Sequence, residues 1–95
     1  MTVTGVIECH GVGSGNYTQM SNAANRIGGR IPSIHELIEI YNAYGNRWPM
    51  GNANYWSSTV AKNVLGAKWY YVKNLNTGKD YKLLHINSSL GVAIR

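Results

Sequence analysis

The stretch Gly29-Arg30-Ile31-Pro32-Ser33-Ile34-His35-Glu36-Leu37 decides the fold. Ser33 followed three residues later by Glu36 forms a capping box. The hydroxyl accepts from a first-turn N–H while the carboxylate reaches back to the N–H of the cap. Ile34, Leu37, Ile38 and Tyr41 then share one helical face, and Gly45 ends the run. A helix with one buried stripe is predicted. His35 falls in its first turn, where a charged imidazolium would oppose the helix dipole, and it reads as a neutral surface residue.

Upstream, Thr18 to Ile27 is a second amphipathic helix, with Met20, Ala23, Ala24 and Ile27 on one face and Gly28-Gly29 as its stop. Val3 to Cys9 reads as a short strand. The following His10-Gly11-Val12-Gly13-Ser14-Gly15-Asn16 breaks regular structure and is expected to be a flexible connection. Its glycines lack the Lys-Ser/Thr ending of a phosphate loop and the spacing of a dinucleotide fingerprint. Downstream, Asn46 to Asn54 is too rich in turn formers to be an element, though it carries Arg47 and Trp48. Tyr55 to Val60 and Lys68 to Leu75 are strands by their aromatic and β-branched content. Asn76-Thr77-Gly78 is a hairpin turn, Lys79 to Ile86 the returning strand, and Leu90 to Ile94 a last short strand. No internal repeat interrupts this order.

Ninety-five residues make one domain, 1–95, with one core. Three Trp and seven Tyr supply its aromatic mass, and with no Phe every large aromatic carries a polar handle. The formal charge of +5 reflects scarce acid, since only Glu8, Glu36, Glu39 and Asp80 oppose nine Lys and Arg. The basic residues are dispersed singly, so nothing tracks a nucleic-acid backbone and no nucleic-acid partner is expected. No run approaches the ~18 apolar residues of a membrane span, and the first residues lack a basic region followed by an apolar run. Membrane insertion is not expected. The lone Cys9 cannot form an internal disulfide and reads as a small buried residue.

Taken in order, Gly29-Arg30-Ile31-Pro32-Ser33, Glu36-Leu37, Tyr41-Asn42-Ala43-Tyr44, Trp48-Pro49, Tyr55-Trp56-Ser57-Ser58-Thr59 and a closing Val92-Ala93-Ile94-Arg95 carry a resemblance. The chain resembles the bacterial C-type-lectin-like domains that end intimin- and invasin-type surface adhesins and related exported proteins. The likeness runs from Cys9 nearly to the end. It implies an α+β fold in which two helices flank a curled antiparallel sheet and the N- and C-terminal strands pair. It also implies structural roles for Trp56 in the core, for Ser57, Ser58 and Thr59 as hydroxyl ties, and for Cys9. Relatives often carry a Cys two residues before the terminal Arg, paired with one near the first strand. Here that position is Ala93, so the resemblance implies a lost staple, with Cys9 left beside Ala93 or free for an intermolecular bond.

Other users of this fold need chemistry that the residues do not supply. Sulfatase-modifying oxidases need cysteine chemistry, and calcium-dependent lectins need clustered carboxylates, whereas the four acids here are scattered. His10, His35 and His85 have no zinc spacing, and Ser57 or Ser58 has no neighbouring His–carboxylate pair in sequence. No cofactor, metal or catalytic residue is expected. Trp48, Asn52, Asn54 and Tyr55 form the candidate ligand-binding set, because aromatic rings cover C–H surface while amides donate and accept. Trp48 equally suits a role pinning the loop to the body. The expected function is calcium-independent binding of a cell-surface glycan or protein receptor, at the tip of a longer adhesin displayed on a bacterial surface. A receptor-binding or structural cap on a phage tail fibre or pilus tip is the alternative.

Overall fold

In the computed structural model, residues 2–3, 7–44 and 53–95 are described, with side chains from residue 8 onward. The elements run β1 (Thr2–Val3), β2 (Ile7–Gly15), α1 (Tyr17–Arg26), α2 (Ile34–Tyr44), β3 (Asn54–Val64), β4 (Ala67–Asn74), β5 (Asp80–Leu84) and β6 (Ser89–Ile94). This is an α+β domain whose main sheet has the order β2-β6-β3-β4-β5, with the two-residue β1 added at the β2 edge. The sheet is mixed and open, where an antiparallel one was expected. Strand β6 lies parallel to β3, bridged at Tyr55 and Leu90, because the turn after β5 carries the chain back over the sheet to enter it between β2 and β3.

The helices take opposite faces. Strand alternation sends Tyr55 one way and Trp56 the other. On the first side, Cys9, Tyr55, Leu75, Val92 and Ile94 pack with Ile34, Leu37 and Ile40 of α2. On the second, Trp56, Tyr70, Val72 and Ala93 pack with Met20 and Ala24 of α1. Helix α1 can lie close to β6 because Gly91 has no side chain; a Cβ there would meet the Met20 sulfur at 2.7 Å.

Three expectations need correction. The opening strand does not run from Val3 to Cys9: β2 begins at Ile7 and continues through the glycine-rich stretch to Gly15, so that stretch is sheet. A bulge at Gly11/Gly13 accommodates it, with Gly13 at φ 98°, a conformation that glycine alone adopts at little cost. The second correction concerns α2, where Ile40 is buried and Ile38 is 36% exposed. Ile38 lies at the margin of the stripe that Leu37, Ile40 and Tyr44 centre on the sheet. The third concerns Cys9, whose partner across the ladder is Ile94, while Ala93 pairs with His10. Cys9 and Ala93 therefore occupy opposite faces, in separate clusters. Terminal closure itself is present, as β2 and β6 pair from Cys9–Ile94 to Gly15–Ser89.

Candidate functional site

The motif Tyr55-Trp56-Ser57-Ser58-Thr59 works as a clasp. Between Trp56–Val72 and Val60–Tyr70, β3 carries extra residues relative to β4, and the bulge turns Ser57 to Thr59 toward the start of α2. Ser57 Oγ donates to the Tyr71 carbonyl at 2.7 Å and itself accepts from the Thr59 N–H at 3.3 Å. The Ser58 N–H donates to the Pro32 carbonyl. Thr59 Oγ1 then accepts from the Ile34 N–H at 3.0 Å, satisfying one of the orphan donors of α2. Trp56 is fully buried, and its indole N–H donates to the Gly15 carbonyl at 2.9 Å, tying β3 to the end of β2.

The capping box forms as predicted: the Ser33 N–H donates to Glu36 Oε1 and the Glu36 N–H to Ser33 Oγ. Arg30 adds a bidentate pair to the same carboxylate at 2.7 and 2.6 Å. This guanidinium first, and the Ser33 N–H with it, hold the Glu36 pKa down to about 2. Arg30 is placed by its own backbone, which exchanges hydrogen bonds with Ile94. Burial raises the Cys9 thiol above its ordinary pKa, which keeps it protonated and weakly nucleophilic.

Of the candidate binding residues, Trp48 and Asn52 lie outside the described residues. Tyr55 is 1% exposed in the α2-side core, so its ring is not a surface on which a ligand could stack. Asn54 is the one that reaches a surface feature. It lines a cleft of about 330 Å³ with Ser14, Ser88, Ser89, Leu83 and Leu90. Ser89 Oγ donates to the Asn54 main-chain carbonyl at 2.6 Å, which fixes the strand and leaves the carboxamide without a partner among the described residues. An amide and three serines beside two leucines can hydrogen-bond hydroxyls while covering C–H surface.

A second pocket, of about 200 Å³, lies at the start of α1 between Tyr17, Thr18, Gly66, Lys68, Tyr70 and His85. Sequence reasoning missed it. Its walls come from three separated parts of the chain, and no local spacing announces them. The main chain joins these parts: the His85 N–H donates to the Lys68 carbonyl, and the Tyr17 N–H to the His85 carbonyl. Tyr17 and Tyr70 stack with centroids 3.8 Å apart and planes 7° apart, and both meet Trp56 edge-on.

Among the described residues no three His, Cys, Asp or Glu side chains come together, and no helix is long and apolar enough to cross a membrane. The chain matches no family model and no curated protein.

Proposed function

We propose that this chain is a C-type-lectin-like binding domain of a bacterial surface adhesin, which recognises a cell-surface glycan or protein receptor without metal and without chemical conversion. The observation that carries the reading is the Asn54 cleft, where a carboxamide without a partner among the described residues and the serines Ser14, Ser88 and Ser89 adjoin Leu83 and Leu90. Such a surface holds a polar ligand by paired donors and acceptors, and the leucines supply apolar contact. The hydroxyls that a nucleophilic mechanism would enlist are already committed, Ser57 to the Tyr71 carbonyl and Thr59 to the α2 terminus. The terminal pairing of β2 with β6, with α1 and α2 on opposite faces, accords with the resemblance.

Screening the 95-residue chain and its Asn54→Ala variant on a glycan array, and on whole cells, tests the proposal. Saturable binding to a restricted set of targets, weakened by the substitution, is expected. The main-chain bond from Ser89 survives that change, so the variant keeps its fold. Absence of saturable binding on both surfaces would overturn it.

A further inference from the structure

The pocket at the start of α1 is positively charged and uncompensated. Lys68 makes no ion pair among the described residues, His85 stands across from it, and the first turn of α1 contains no acid. Three of the four acids are spent elsewhere, Glu8 on His10 and Arg95, Glu36 on Arg30, and Asp80 on Lys73. The helix end contributes the partial positive charge of its free N–H groups. Asn16 Oδ1 takes the Gln19 N–H and the His85 carbonyl takes the Tyr17 N–H, so Thr18, exposed at the rim, retains a first-turn donor.

A separate observation points to a ligand. Tyr70 lines this pocket and is only 8% exposed, yet its phenol has no hydrogen-bond partner among the described residues. Tyr70 is thus a largely buried polar side chain that opens only on this pocket, and such a group without a protein partner calls for a partner in the space it faces. The stacked Tyr17 brings a second phenol, which burial and the neighbouring Tyr70 keep protonated and therefore able to donate.

We propose that the pocket formed by Tyr17, Thr18, Lys68, Tyr70 and His85 is a subsite for the oxyanion of an acidic saccharide, a sugar carboxylate or sulfate. This rests on the binding reading above and assigns it a ligand class. The volume is smaller than the ~300–1,000 Å³ of pockets that enclose drug-sized molecules, which suits one charged sugar unit. Lys68 meets the charge, His85 and the Thr18 hydroxyl and main chain offer hydrogen bonds to an anionic oxygen, and the two phenols answer ring hydroxyls. A peptide partner would be met by a groove or sheet edge, whereas this is a small half-open pocket.

The test is chemical-shift mapping of the ¹⁵N-labelled 95-residue chain with sialyllactose, a sulfated disaccharide, lactose and an Asp/Glu-rich peptide as probes. Saturable shifts at Tyr17, Thr18, Lys68, Tyr70 and His85 with one acidic saccharide, but not with lactose, are expected. The first two probes separate carboxylate from sulfate. Lys68→Ala should weaken binding about tenfold, as for a lost charge-assisted hydrogen bond. Tyr70→Phe keeps the ring stack, so it should weaken binding about threefold and leave the melting temperature unchanged or raised. A lower melting temperature in Tyr70→Phe would give the hydroxyl a structural role and overturn the assignment. Shifts produced by the peptide alone would overturn the saccharide class. Shifts confined to the Asn54 cleft, or array binding unaffected by Lys68→Ala, would overturn this subsite and leave the binding proposal standing. Absence of binding to any array, cell or probe would remove both.

Discussion

Glu36 joins two kinds of support in one carboxylate, since it closes the α2 cap and anchors Arg30, which is hydrogen-bonded through its main chain to β6. Its folded pKa of about 2 lies below the ordinary 4.5, so the stabilisation is fully present above pH 4.5 and disappears as pH falls toward 2. Arg30 is 59% exposed, and solvent screening reduces the worth of the pair to about 1 kcal/mol. Urea midpoints of Glu36→Gln should therefore trail those of the wild type at pH 7 and converge with them near pH 2. A constant gap across that range would deny the ion pair any part in stability. Cys9 offers a second test at this scale. Glu8 and Arg95 exchange both main-chain bonds, which makes Cys9–Ile94 the adjoining non-hydrogen-bonded pair, with Cα atoms about 4.5 Å apart. Ile94→Cys should oxidise to an internal disulfide, whereas Ala93→Cys should retain two thiols because residue 93 faces α1. Thiol titration of the two oxidised variants decides this, and a bridge from position 93 would contradict the register.

At the level of elements, the clasp explains how a strand motif sets a distant helix. Thr59 lies 25 residues from the Ile34 N–H that it caps, and Ser58 holds the Pro32 carbonyl in the same connection. Thr59→Val preserves shape and removes the acceptor, so it should lower stability by about 1 kcal/mol, while Thr59→Ser should restore most of it. Equal denaturation midpoints for Thr59→Val and the wild type would show that the capping box suffices alone. Both helices were legible in the sequence because their signals are local: Ser33 and Glu36 for α2, and the Met20/Ala24 stripe with its glycine stop for α1. The extent of β2 was not. Gly11, Gly13 and Gly15 resemble loop residues until β6 is beside them, and only the ladder shows that the stretch is bulged sheet. The Tyr17–Tyr70–His85 corner was hidden for a related reason, since topology and not spacing assembles it. Asn54, named from composition, lines a cleft, whereas alternation along β3 turns the ring of Tyr55 beside it into the core.

In the whole molecule, β6 is the axis. It lies between β2 and β3, contributes Val92 and Ile94 to one side of the core and Ala93 to the other, and exchanges main-chain bonds with Arg30. Removal of residues 91–95 should therefore abolish the cooperative melting transition, and an unchanged melting curve would show that the two-sided core does not depend on this strand. With this axis in place, the Asn54 cleft and the pocket at α1 are both built on positions set by hydrogen bonds to main-chain carbonyls, which suits recognition by a preformed surface. The central claim is binding without metal and without turnover. It is tested most directly by isotherms of the chain with its best array ligand, measured in EDTA and in millimolar Ca²⁺, followed by mass analysis of the recovered ligand. Superimposable curves and an unaltered ligand are the predicted result; a calcium-dependent affinity, or a ligand returned at a different mass, would contradict it.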